Sequence, residues 1–371
     1  MKNVYVSVIN DLVTDQRVHK SCTSMQKAGF KVFLIGRRLR NSPPLDTRSY
    51  SCRRMRLYVE KGPLFYAWFN IRLFFLLLFS KQDLLVSNDL DTLLPNFIIS
   101  RLKRIPLVYD SHEYFTETPE LAGRPIVQKV WKAIEKYVLS RMDEMITVNE
   151  SIAGLFREKY GIVVHVVRNV PFRLHLKRES SREELNLPAN KRLLILQGSG
   201  INIQRGAEEL VLSMKYINDS LLLIIGGGDV LPVLKQMCKA NKLEDKIMFL
   251  PRMPYAELIK YTTLADLGFT LDKPTNLNYR FSLPNKLFDF IQAGVPVIAS
   301  DLPEIRRIIE SYQIGNFIPS HEPEDIAGVI RESIDNKALR TEWKNNLTFA
   351  AHQLCWENEE KVLLKIYGQY S

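Results

Sequence analysis

The segment Asn278 to Glu304, NYRFSLPNKLFDFIQAGVPVIASDLPE, limits the possible folds more sharply than any other part of the chain. Its pattern is a loop, a short helix, a glycine stop, a buried strand and another turn, one unit of a parallel α/β sheet. Ser282 is placed to cap the helix, with Pro284 in the first turn, where its missing N–H needs no partner. Lys286 and Asp289 follow on the first two turns, and Gly294 with Pro296 closes the helix before the apolar run VPVIA. Free N–H groups at a helix start and a lysine beside them suit phosphates. A carboxylate further along can accept both hydroxyls of a ribose. Together they describe a place for a nucleoside diphosphate.

The segment resembles the donor-site motif of retaining glycosyltransferases of the GT-B fold, in the large family 4 (group 1). Their common form is a Ser/Pro-rich loop, Asn-Lys, an aromatic residue, Glu, and an Ala-Gly-x-Pro-Val-Ile-Ala run. The resemblance implies an α/β protein of two Rossmann-like, doubly wound domains facing each other across a cleft. It also implies transfer of a sugar, with retention, from a UDP-sugar or GDP-sugar donor, needing no other cofactor and no metal.

Length and composition agree with two domains. A chain of 371 residues is long for one domain and suggests two of roughly 150–200 residues each. Hydrophobic residues make up 46% and charged residues 25%, which suits a soluble globular protein with an ample core. The four cysteines, Cys22, Cys52, Cys238 and Cys355, lie far apart without metal-ligand spacing, so reduced thiols in a cytoplasmic protein are expected. MKNVYVSVIN alternates like a first strand, not like a leader peptide. Residues 1–170 hold 26 Lys and Arg against 16 Asp and Glu; residues 171–371 hold 25 of each. The excess suits an anionic acceptor or the inner face of an anionic membrane, with plain surface solvation as the alternative. The run LFYAWFNIRLFFLLLF, Leu64 to Phe79, is too short to span a bilayer and contains Arg72. It is either a buried helix or a surface helix that touches lipid.

Short apolar runs alternate with helical patterns through the first half, at Val4–Ile9, Val32–Ile35, Asp83–Ser87, Leu107–Tyr109, Glu144–Val148 and Val163–Val167. The pattern restarts at Arg192–Leu196 and continues through Leu221–Ile225, Ile247–Leu250 and Leu267–Thr270. The expected division is an acceptor-binding domain over 1–170, a linker at 171–190, a donor-binding domain over 191–345 and a C-terminal helix over 346–371. That last segment resembles the family's tail helix, which returns to the first domain.

Further segments carry the resemblance. QGSGINIQRGAEELV is similar to the first donor loop, with Gly198 and Ser199 in the turn and Arg205-Gly206 in the Lys-Gly place. Arg205 is suited to paired, charge-assisted hydrogen bonds with a pyrophosphate and to offsetting charge on the leaving group. IIGGGDV supplies Gly227 in a turn where backbone can approach a ligand. In MFLPRMPYAEL, Met253 matches a position whose backbone reads the base. PLVYDSHEYFTE sets Asp110, His112 and Glu113 just beyond a strand, where α/β sites form, and the family places a similar His against the donor sugar. VSNDLDTLLP is similar to a family loop and reads as structural. In NDLVTDQRVHK, Asp15 and Arg17 either face the expected cleft on the acceptor side, with Arg17 near phosphate or acceptor, or form a salt-bridged helix start.

One departure matters. The family's Glu-x7-Glu pair is reduced here, since Asp289 stands in the second place but Phe281 stands eight positions earlier. Asn278, or backbone N–H groups from Phe281 through Leu283 ahead of Pro284, would have to replace the missing carboxylate at the sugar. The expected activity is glycosyl transfer to a glycan or lipid-linked acceptor in cell-envelope polysaccharide or lipopolysaccharide synthesis, with His112, Arg205 and Lys286 at the chemistry. The alternatives are a nucleotide-sugar epimerase of the same fold, a nicotinamide-dependent oxidoreductase, which would want GxGxxG after the first strand, and a basic nucleic-acid-binding protein. No nucleic acid partner is expected.

Overall fold

The computed structural model describes residues 1–174 and 180–371, so the predicted linker at 171–190 lies partly outside the described residues. The chain divides into two units, Met1–Asn169 with Glu359–Ser371, and Val170–Asn358.

The first unit is a seven-stranded parallel sheet of β1 (Asn3–Asp11), β2 (Lys31–Arg38), β3 (Ser51–Arg56), β4 (Leu84–Asn88), β5 (Leu107–Ser111), β6 (Glu144–Thr147) and β7 (Val163–Val166). Its order is β3-β2-β1-β4-β5-β6-β7, so the direction of winding reverses between β1 and β4. β4 is buried along its whole length, as a strand covered on both faces by crossover helices must be. β3 is absent from the predicted strands. Its sequence SCRRMR buries only Met55, and polar outward residues on an edge strand hide the usual apolar signal.

The apolar run Leu64 to Phe79 forms the helix Pro63–Leu78. Phe65, Phe69, Leu73 and Leu77, four residues apart, are buried against Ile9, Ile35, Leu85 and Ile99. A second stripe, Leu64, Trp68, Ile71, Phe75 and then Phe79, is exposed. The helix is therefore core on one side and apolar surface on the other. No helix among the described residues is long and apolar enough to cross a membrane.

The second unit is a six-stranded parallel sheet of β8 (Arg192–Gly198), β9 (Ser220–Gly226), β10 (Ile247–Pro251), β11 (Leu267–Thr270), β12 (Val297–Ala299) and β13 (Gly315–Phe317). The order β10-β9-β8-β11-β12-β13 reverses between β8 and β11. Leu194, Leu196, Leu222, Ile224, Phe269 and Ile298 fill its core. Two such domains constitute the GT-B fold.

The tail is two helices, Lys337–Gln353 and Trp356–Gly368. From Glu359 onward it belongs to the first unit, where Arg168 binds Glu359 (2.7 Å) and Ser24 binds Glu360 (2.5 Å). Tyr370 and Gln369 both donate to Glu144 Oε1 at 2.6 Å, and Tyr367 is fully buried.

Candidate functional site

In doubly wound sheets, ligands bind beyond the carboxyl ends of the strands where the winding reverses. Gly198 ends β8, Ser199 and Arg205 follow it, and Ser282 through Asp289 follow β11, flanking the second unit's reversal. Asp15 and Arg17 follow β1 in the first unit, and the other residues singled out from the sequence lie at or beyond the ends of neighbouring strands.

In the second unit, Gly198 ends β8 and Ser199 comes directly after it. The turn meets the one after β9 almost backbone to backbone: a Cβ on Gly226 would sit 1.8 Å from the Gly198 carbonyl oxygen. Only glycine fits there. The Gly227 N–H donates to the Gly198 carbonyl at 3.1 Å and the Ile201 N–H to the Gly227 carbonyl at 2.7 Å. Gly227 is therefore spent in joining the two turns.

Arg205 precedes the helix Ala207–Ser213 by one glycine. Both neighbours have left-handed backbone, Gln204 at φ 67° and Gly206 at φ 70°. Its Nη1 donates to Asp272 Oδ1 at 3.0 Å, and the guanidinium lies 4.6 Å from the centre of the Tyr279 ring. Lys286 is half-buried nearby: burial lowers its pKa, the Asp272 carboxylate raises it, and Arg205 lowers it again, with a net downward shift.

The helix carrying Lys286 is Asn285–Gln292, and Pro284 occupies its cap position with φ −71° and ψ 139°. Ser282 is therefore not the cap. Proline restricts Leu283 to extended backbone, which delays the helix start beyond Ser282's reach. Ser282 Oγ is buried without a hydrogen-bond partner among the described residues, and no side chain caps the helix. The first helical N–H groups, Asn285 and Lys286, thus belong to an uncapped positive end.

Asp289 is held by a chain of hydrogen bonds that the sequence alone does not disclose. Thr262 Oγ1 donates to Gln197 Oε1 at 2.7 Å, and Gln197 Nε2 donates to Asp289 Oδ2 at 3.3 Å. Tyr255 also hydrogen-bonds Asp289; burial, then the Asp289 charge, push its phenol pKa up. Met253 sits in the turn between β10 and the helix Tyr255–Thr262. Asn278 is buried in the short helix Leu277–Arg280, whose cap is Asn276. Asp272 is absent from the residues expected at the site, although a charged residue just after the apolar strand LGFT is the same signal that marks Asp110.

In the first unit, Asp110 and the Arg17 guanidinium form a buried ion pair at 2.7 Å, and Arg17 Nη1 also donates to the Val167 carbonyl at 2.9 Å. Burial alone would raise the Asp110 carboxyl, but Arg17 and His112 hold it well below the usual range. His112 lies between two acids: Nδ1 is 3.2 Å from Asp89 Oδ2, Nε2 is 3.5 Å from Asp110 Oδ2, and its backbone N–H donates to Asp89 Oδ1 at 2.8 Å. Burial works against the imidazolium, yet Asp89 and Asp110 raise its pKa to about 10, with Arg17 opposing. Asp91 is pushed well above the carboxylate range by burial, then by Asp89 and Glu113. Glu113 gives its backbone carbonyl to Ser111 Oγ at 2.8 Å. The loop VSNDLDTLLP thus contributes Asp89 and Asp91 to this cluster. Asp15 caps the helix Gln16–Lys27, accepting from the Val18 N–H at 3.0 Å and from Asn10 at 2.9 Å. Both Asp15 and Arg17 are thus engaged inside the unit.

Two family models match the chain, "Glycosyltransferase Family 4" over residues 16–170 and "Glycosyl transferases group 1" over residues 177–348. The chain belongs to the family 4, group 1 glycosyltransferases. A phosphatidyl-myo-inositol mannosyltransferase of Mycobacterium leprae is 25% identical over 154 residues, which span 42% of this chain and 39% of that relative. Sucrose-phosphate synthase from Thermosynechococcus elongatus superposes with a TM-score of 0.80 at 18% identity, covering 100% of this chain and 99% of its own. The Anabaena protein HepE in complex with UDP-glucose gives a TM-score of 0.72 at 14% identity, with both chains fully covered. At these identities the structural likeness establishes the fold.

Proposed function

We propose that this glycosyltransferase draws its sugar from a nucleoside-diphosphate sugar held at the carboxyl end of the β8–β11 sheet. The observation that carries the reading is a pair of cations, Arg205 and Lys286, beside an uncapped helix start, with Asp289 fixed one turn into that helix. The cations and the Asn285 and Lys286 N–H groups take the diphosphate, and Asp289 takes the ribose hydroxyls. The turns at Gly198–Ser199 and Gly227, the segment Ser282–Leu283–Pro284 and the backbone of Met253 line the donor. UDP- and GDP-sugars are the expected donors; a structural neighbour solved with UDP-glucose supports the first of these.

Transfer breaks the bond from C1 to the diphosphate, whose electron pair stays on the phosphate oxygen, while the acceptor oxygen bonds C1 and gives its proton to that departing phosphate oxygen. Two protein cations supply the countercharge that a metal would otherwise bring. We assign His112 a sugar-contacting role and the acceptor to the first unit near Asp110 and Glu113, with retention of configuration and a hexosyl group. A thermal-shift panel of UDP, GDP, ADP and TDP with their sugars tests the donor assignment: at least one stabilises the wild type, and Arg205→Ala or Lys286→Ala weakens it. A panel without any shift removes the assignment.

The acceptor we propose is a glycan or a lipid-linked sugar of the cell envelope, met at an anionic membrane surface. Leu64, Trp68, Ile71, Phe75 and Phe79 form an exposed apolar stripe, with exposed Lys61 and Lys81 near its ends. Lys103 donates to the Leu77 carbonyl at 2.8 Å, which brings exposed Arg101, Leu102 and Arg104 to the same end. An apolar stripe with a basic rim suits anionic lipid. Co-sedimentation with phosphatidylglycerol vesicles, but not phosphatidylcholine vesicles, is expected, and Phe75→Asp should reduce it; equal behaviour of the two vesicles counts against the proposal.

A further inference from the structure

Two residues beyond β11, Asp272 is fully buried, yet only one of its carboxylate oxygens is used. Oδ1 accepts from Arg205 at 3.0 Å, while Oδ2 has no hydrogen-bond partner among the described residues. A buried carboxylate is costly unless its charge is matched. Here the match comes from two cations, Arg205 by a direct ion pair and Lys286 through electrostatic attraction.

Arg205 does not need that charge in order to be placed. Gln204 and Gly206 fix its backbone on either side. The Lys273 N–H donates to the Gln204 carbonyl at 3.0 Å, and Thr275 Oγ1 bonds Gln204 Oε1 at 2.7 Å. A Cβ on Gly206 would lie 2.4 Å from the Leu271 carbonyl oxygen, so the turn is pressed against the strand end that leads to Asp272. The Tyr279 ring packs on the guanidinium. A neutral oxygen acceptor would complete this clamp. The negative charge of Asp272 therefore serves something else.

We propose that Asp272 is a positioning residue that also governs the charge of the diphosphate cradle. It holds Arg205 through a hydrogen bond and cancels one of the two positive charges that Arg205 and Lys286 bring. The donor's leaving group gains negative charge as its bond to the sugar breaks, and two uncompensated cations in a half-buried site would retain it. Asp272 keeps the grip weak enough for the nucleoside diphosphate product to depart. This inference rests on the donor-site reading and adds a control on product release at that site.

The test is calorimetric titration of the full chain with UDP and GDP at two ionic strengths, alongside turnover. Asp272→Asn keeps an oxygen for Arg205 and removes only the charge. It should bind nucleoside diphosphate roughly 3- to 10-fold more tightly, with steeper salt dependence and slower turnover at an unchanged or lower KM. Asp272→Ala removes the oxygen as well and should bind more weakly than Asp272→Asn. A second measurement leaves Asp272 in place: Lys286→Gln should abolish most of the salt dependence of binding, because the remaining cation is already cancelled. Binding by Asp272→Asn no tighter than wild type, or full salt dependence in Lys286→Gln, overturns the inference while leaving the donor site standing. If neither UDP nor GDP binds the wild type, the donor-site reading falls and this inference falls with it.

Discussion

The carboxyl ends of the two sheets carry opposite charge balances, and neither follows the net charge of the half of the chain that builds it. Residues 1–170 have ten more basic than acidic side chains, yet their switch point gathers Asp89, Asp91, Asp110 and Glu113 around Arg17 and His112. Residues 171–371 are neutral overall, yet theirs presents Arg205 and Lys286 against a single buried Asp272. Net charge thus describes the outer surface, and the sites are set locally by the few residues just past each strand end. The difference also separates two uses of charge. In the first unit Arg17 and His112 are paired with Asp110 and Asp89, while burial and acidic neighbours push Asp91 toward its neutral form; in the second, two cations share Asp272.

The strongest way to break this comparison is to remove a charge that the first unit needs. Asp110→Asn leaves Arg17, 4% exposed, without its counter-charge. A loss of about 3–5 kcal/mol in folding stability is expected by denaturant titration, since breaking a buried pair strands the remaining ion. A loss below about 1 kcal/mol would mean that Arg17 is free to serve a ligand. In the second unit, Lys286→Ala should do the opposite. Lys286 is held at some cost by burial, so stability should change little, while nucleoside diphosphate affinity falls about 10- to 100-fold, the range for a charge-assisted hydrogen bond. A stability loss as large as that of Asp110→Asn would erase the distinction between the two units.

A smaller effect comes through pH. The folded-state pKa of His112 is raised to about 10 from an ordinary value of about 6.5. Its contribution to stability is therefore complete below about pH 6.5 and declines as pH rises toward 10. Thermal melts of wild type across that range should fall more steeply than those of His112→Asn. Identical slopes would show that Asp89 and Asp110 do not hold the imidazolium.

Most of the strands are legible in the sequence because each buried strand in a parallel sheet is a short apolar run ending in a polar turn. Lys286 and Asp289 stand out because proline and glycine punctuate their helix, whereas Arg205 stands out only through its resemblance to the family's donor loop. The rest depends on contacts between distant segments. Gln197 and Thr262 are 65 positions apart, and only the β8–β11 neighbourhood lets them meet and orient Asp289. Asp272 reads as a loop residue until the turn at Arg205 is seen pressed beside it. Ser282 misleads because a serine just ahead of a helix with a proline in between mimics a cap. The extended backbone imposed by Pro284 is what starts the helix later.

Asp15 gives the smallest and most discriminating test in the first unit. Its sequence leaves two uses open, a helix start or an acceptor contact. In the fold, one carboxylate oxygen accepts from the Val18 N–H and the other from Asn10, so the group is engaged as an N-cap. Asp15→Ala should cost about 0.5–2 kcal/mol, and Asp15→Ser, which keeps a capping oxygen, should recover most of it. KM for the acceptor should be unchanged in Asp15→Ser, because the serine restores the cap but cannot restore a carboxylate contact. A raised acceptor KM in the serine variant, with stability restored, would move Asp15 from the fold to the site and add another acid to the cluster around His112.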